Sequence, residues 1–147
     1  QLTGITNAMV DAAPAAAQVM ADAARFVNGA PMVAHNASFD SKFWQAELAL
    51  AGVAAPHVFA CTVLLSRRLY PQAPSHKLGR AHRALADAEM AAALLGQIQH
   101  DLRKRWGVER PDHALLVGLQ RCGKQGVGRF IERRVQDQSP QRELAFV

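Results

Sequence analysis

Pro31-Met32-Val33-Ala34-His35-Asn36-Ala37-Ser38-Phe39-Asp40 is the stretch that decides the fold. A short apolar run follows the Asn28-Gly29 turn signal and stops at His35-Asn36, which predicts a buried strand. Ser38 can cap the helix that follows. Trp44, Leu48 and Ala51, at i, i+4 and i+7, form its apolar stripe, and Gly52 stops it. The pattern then repeats. Val58-Phe59-Ala60-Cys61 reads as a second strand, Thr62 to Leu69 as a helix, and Pro71 to Ser75 as a turn. Strand, helix, strand, helix predicts an α/β fold with a parallel sheet.

Before this stretch, Pro14 suits the first turn of an earlier helix, with Val19, Ala23, Phe26 and Val27 at helical spacing until Asn28-Gly29. On the other side, a long helix follows His82 and runs to about Arg105, with Leu85, Ala88, Ala92, Leu95 and Leu102 as its apolar stripe. Beyond Trp106-Gly107 the pattern changes to Pro111, an apolar Ala114 to Leu119, a glycine-punctuated Cys122 to Gly128 and a basic amphipathic stretch. Residues 107–147 therefore read as a helical basic appendage to residues 1–106, not as a second domain.

Composition bounds the function. Half of the 147 residues are apolar and a fifth are charged, as in soluble globular proteins. The sequence has no apolar run long enough to span a membrane, and the alanine-rich start lacks the basic residues of a secretory signal. The two cysteines, Cys61 and Cys122, have no metal-ligand spacing, which fits a reduced cytoplasmic protein. The net charge of +5 is uneven. Ten of the seventeen Lys and Arg fall after residue 100, against six of the twelve acids. That basic segment can either attract a phosphate backbone or form a solvated helix face.

The chemistry sits at two places. His82 lies five residues before Asp87, a spacing that would put them about 140° apart on one helix. His82 therefore belongs to the loop before the helix, where a general base can stand beside a carboxylate fixed on a rigid element. Asp40 opens the helix after the first strand, and ligands of open α/β sheets bind beyond the carboxyl ends of the strands. A lone acid in a helix's first turn is ordinarily there for the dipole. Two of them in one α/β unit, with a histidine beside the second, point to a shared site. His35, His57, His76, His100 and His113 have no such companion carboxylate and read as packing or surface residues.

Three segments in order, Leu2-Thr3-Gly4-Ile5-Thr6, Val33 to Asp40 and His82-Arg83-Ala84-Leu85-Ala86-Asp87-Ala88, resemble the DEDDh (DnaQ-like) 3′-to-5′ exonucleases. That family contains the proofreading subunit of DNA polymerase III, ribonuclease T and oligoribonuclease. The resemblance covers residues 2 to about 100. It implies a ribonuclease-H-like fold, with residues 1–106 forming part of an exonuclease domain. It further implies removal of nucleotides from the 3′ end of DNA or RNA with two Mg²⁺ or Mn²⁺ ions. Asp40 and Asp87 resemble the family's second and third metal-binding aspartates, and His82 resembles its catalytic histidine. An imidazole of unperturbed pKa near 6.5 can take a proton from water at neutral pH. Gly4 and Ile5 resemble the segment against the terminal nucleotide, and Asn36 and Phe39 border the same cleft. The implied partners are single-stranded or 3′-terminal nucleic acid and a DNA polymerase subunit.

The sequence departs from the family pattern twice. The first motif, an aspartate and a glutamate one residue apart on an early strand, has no counterpart before Asp40. Glu47 shares a helix face with Asp40 but sits roughly 10 Å further along the axis. Glu89 points to a different helix face from Asp87. The expectation is that the first three strands, with the missing carboxylates, lie upstream of Gln1. A two-stranded sheet alone would leave helix faces uncovered. The second departure is the short connection Lys77-Leu78-Gly79-Arg80-Ala81-His82, where the family has a helix and a loop. The alternative to an exonuclease is a catalytically inactive domain of the same fold that binds nucleic acid or a protein partner.

Overall fold

Val33 and Ala60 lie at the centres of two short strands, β1 (Met32–Ala34) and β2 (Phe59–Cys61). They pair in parallel, Met32 opposite Phe59, Val33 opposite Ala60 and Ala34 opposite Cys61. The computed structural model describes residues 4–54, 57–79 and 84–138. Helices α1 (Asn7–Asp11) and α2 (Ala16–Val27) precede β1, and α3 (Ala37–Leu50) makes the crossover to β2. Then come α4 (Thr62–Leu69), α5 (Ala84–Trp106), α6 (His113–Arg121), a 3₁₀ turn at Lys124–Gly126 and α7 (Val127–Gln138). The chain is thus mixed α/β with a small parallel sheet, compatible with a ribonuclease-H-like domain.

Helix α3 packs on both strands and on α2, α5 packs on β1 and α4, and α6 packs on β2 and α4. Ala60, Leu65, Leu69, Ile98, Leu102, Leu115, Leu116, Leu119 and Ile131 form one buried cluster that runs from β2 through α4 and α5 into α6 and α7. Residues beyond Gly107 therefore share the core of the α/β unit. Gly118 permits the last contact: a Cβ there would come within 2.7 Å of the Phe130 ring.

Side chains finish what two strands cannot. On the outer edge of β2, the Gln120 carboxamide accepts from the Cys61 N–H at 2.6 Å and donates to the Phe59 carbonyl at 3.0 Å. One side chain thereby does the work of a neighbouring strand. At the carboxyl ends of the strands, His35 Nδ1 lies 2.9 Å from the Thr62 hydroxyl, which also donates to the Ala34 carbonyl at 3.4 Å.

Three expectations are corrected. Ser38 is not the cap of α3: the helix starts at Ala37 after Asn36, so Ser38 lies within the first turn. Pro14 precedes α2 by two residues, because Ala15 is its N-cap. In α5 the buried positions are Ala91, Ile98 and Leu102, so only Leu102 of the expected stripe is buried, and Leu85 is 73% exposed. The alanine-rich sequence gives two faces of similar apolarity, and spacing alone does not say which meets the core. The stop of α3 is as expected: Gly52 takes φ +68°, and Val53 N–H bonds back to the Leu48 carbonyl at 2.9 Å.

Replacing Gln120 with Ala would leave a part-buried N–H and carbonyl on β2 unpaired. The expected loss is about 1–3 kcal/mol, read from the urea midpoint. Gln120→Glu keeps an acceptor for Cys61 but sets a carboxylate oxygen against the Phe59 carbonyl, and should also destabilise; equal stability of all three proteins would contradict the clamp. A second expectation concerns pH. Burial holds the His35 imidazole below the usual histidine range, with the Arg67 guanidinium adding to it and the His76 main-chain carbonyl pulling the other way. The unfolded chain then binds the proton before the folded one does. The stabilisation is full above about pH 6.5 and is lost as pH falls. Wild type should lose more stability than His35→Gln between pH 7 and 5, and parallel curves would refute this.

Candidate functional site

Asn36 closes β1 in the left-handed region, φ 65° and ψ 45°, a conformation asparagine tolerates better than most non-glycine residues. The chain turns there directly into α3. Asp40 consequently falls in the first turn of α3, and Asp87 falls in the first turn of α5. Each carboxylate is favoured by the positive end of its helix. The two helices bring them to one open cavity of about 980 Å³ that runs along β1. Asn36, Phe39, Phe43 and Glu47 lie on the same wall system. The exposed rings of Phe39 and Phe43 stand 4.8 Å apart, centroid to centroid. Trp44 also borders the cavity, and its indole N–H is buried with no hydrogen-bond partner among the described residues.

Of the residues singled out from sequence, Asp40, Asp87, Asn36 and Phe39 thus meet at one cavity. Gly4 and Ile5 line neither this cavity nor its neighbour; they precede α1, with Gly4 at φ +73° and Ile5 exposed. His82 lies outside the described residues. Glu47, set aside in the sequence for its distance along the helix, reaches the cavity because seven residues are nearly two full turns.

Among the described residues no group of three His, Cys, Asp or Glu is placed to hold a metal ion. Two carboxylates on an open cavity suit an ion such as Mg²⁺, which keeps several waters and takes further oxygens from substrate phosphates. They do not amount to a cage that would bind an ion tightly by itself. The cavity also holds apolar surface, including Ala88, Ala92 and Leu95 of α5.

A second cavity, of about 970 Å³, adjoins the first and shares His35, Asn36, Phe59 and Leu78 with it. Its residues come from α3, β2, α4, the loop around His76 and the end of α6, so no local motif marks it. In its wall the His76 Nδ1 lies 2.7 Å from the buried Ser66 hydroxyl, which fixes that loop to α4.

No helix among the described residues is long and apolar enough to cross a membrane. The family model described as exonuclease, RNase T, matches residues 1–95. A DNA polymerase III PolC-type of Halalkalibacterium halodurans is 34% identical over 159 residues, covering 89% of this chain and 11% of the relative. The 3′-5′ exonuclease DinG of Bacillus subtilis is 34% identical over 116 residues, 71% of this chain and 12% of its own length. A DNA polymerase III subunit epsilon-like protein of Rhodobacter capsulatus is 43% identical over 75 residues, 51% of this chain and 11% of its own. The chain spans about a tenth of the length of these relatives. No solved structure matches it. With a family match over well over half of its residues, the chain belongs to the DnaQ-like (DEDDh) 3′-to-5′ exonuclease family.

Proposed function

We propose that this chain forms part of a metal-dependent exonuclease domain that removes nucleotides from the 3′ end of DNA or RNA. The observation that carries the reading is that Asp40 and Asp87, on separate helices, face one cavity. In it, Asp40 and Asp87 would hold Mg²⁺ or Mn²⁺, and the ion would supply positive charge against the scissile phosphate. Asn36 and Phe39 border the terminal nucleotide, and the Phe39–Phe43 pair offers an aromatic face on which a base can stack. Gly4 and Ile5, which resemble the family's nucleotide-facing segment, line neither cavity, so they would touch a substrate only where it reaches past the cavity rim. His82, five residues before Asp87, acts as general base and takes the proton of the attacking water. The family relatives named as polymerase III proteins support a polymerase assembly as the setting.

A second reading, a domain of this fold that binds nucleic acid without cutting it, is favoured by one observation: the described residues contain no three-ligand metal group. One assay separates the two. Oligonucleotides labelled at the 3′ or the 5′ end are incubated with the protein and Mn²⁺, with and without chelator. The exonuclease reading expects immediate release of the 3′ label, a shortening ladder from the 5′ label, and no reaction with chelator. His82→Ala should slow trimming by at least 100-fold while leaving the Mn²⁺ concentration for half-maximal rate little changed. Binding without trimming would establish the second reading.

A further inference from the structure

The two adjoining cavities carry opposite charge. Among the described residues, the charged groups lining the first are Asp40, Glu47 and Asp87, with no Lys or Arg. Those lining the second are Arg67, Lys77 and Arg121, with no Asp or Glu, and His35, His57 and His76 stand among them. The boundary runs through His35 and Asn36, at the carboxyl end of β1. All three cationic side chains are exposed, and Arg67 and Arg121 come from the ends of different helices. Their convergence is therefore a product of the fold. None of the three makes an ion pair in the structure's described part, so no carboxylate neutralises them there.

We propose that the second cavity is the path of the nucleic-acid strand, holding the phosphates on the 5′ side of the terminal nucleotide while that nucleotide occupies the acidic cavity. The assignment rests on the exonuclease reading for the acidic cavity and adds the route of the rest of the substrate. A polyanion cannot lie along three carboxylates without intervening cations, whereas a cavity with three uncompensated cations attracts it. Side chains that touch phosphate alone carry no sequence information, so this contact would position any strand alike. Ser38, Ser41 and Gln45, on the α3 wall of the same cavity, add neutral donors suited to phosphate oxygens.

The test measures binding with Ca²⁺ in place of Mg²⁺ or Mn²⁺, so that a cation stands between the carboxylates and the phosphate, and a gel of the recovered oligonucleotide checks that it is uncut. A fluorescent ten-nucleotide oligo-dT and thymidine monophosphate are titrated against wild type and the triple variant Arg67→Gln, Lys77→Gln, Arg121→Gln over a range of KCl concentrations. For single strands each phosphate contact contributes about −0.7 to the slope of log affinity against log salt. The variant should therefore lose about 2 from the slope for the oligonucleotide and bind it at least tenfold more weakly, with affinity for the mononucleotide unchanged. A control triple, Arg129→Gln, Arg133→Gln, Lys124→Gln, whose residues line neither cavity, should keep the wild-type slope. An unchanged slope in the first variant, equal losses for oligonucleotide and mononucleotide, or no oligonucleotide binding by wild type would each overturn the assignment. The two readings fail separately. Slope loss in a protein that never trims with Mn²⁺ removes the exonuclease but leaves the path, while trimming with an unchanged slope removes only the path.

Discussion

The parallel pairing of Met32–Ala34 with Phe59–Cys61 is the constraint on which the rest of the molecule depends. Strands this short are marginal in water, and their backbone groups must be covered on both sides. Helix α3 covers both strands, α5 covers β1, and the Gln120 carboxamide closes the outer edge of β2. Because α6 supplies that carboxamide and four buried apolar residues, the segment after Gly107 is part of what holds the sheet. The pairing also positions the candidate site. It sets Ala34 opposite Cys61, so the chain leaves both strands at one level, into His35-Asn36 on one side and Thr62 on the other.

From that level the site follows in few steps. The left-handed turn at Asn36 starts α3 at once and commits Asp40 to its first turn, while α5 crosses β1 and presents Asp87 from the facing side. Each carboxylate lies in the first turn of its helix, where the helix dipole favours it. The neighbouring cationic cavity begins where the acidic one ends. On the proposed strand path, the change from acidic to basic lining at His35 and Asn36 would give a polyanion one orientation, with its end over the acids and its length over the cations.

Much of this was legible in the sequence, for identifiable reasons. The strands and the helix from Thr62 to Leu69 are bounded by strong local signals, and Trp44, Leu48 and Ala51 mark the inner face of α3, where Leu48 is buried. Asp40 and Asp87 were legible as a pair because each opens a helix. Other features depend on contacts that leave no local trace. Gln120 looks like any polar helix residue until β2 lies beside it. Asn36 rather than Ser38 starts α3 because backbone conformation, not a side-chain bond, makes the turn. The buried face of α5 differs from the one its spacing suggests because alanine is compatible with either face, and α4 and β1 settle which one is buried. The cationic cavity needed five separate segments to assemble.

The proposed function requires Asp40 and Asp87 to act as one unit. A double-mutant cycle on Mn²⁺-dependent 3′ trimming tests it most directly, using wild type, Asp40→Asn, Asp87→Asn and the double variant. Residues that serve one centre are strongly non-additive. Each single substitution should lose nearly all the activity, and the double variant should be no worse than the more damaged single. Losses that multiply in the double variant would show two independent carboxylates and contradict the shared site.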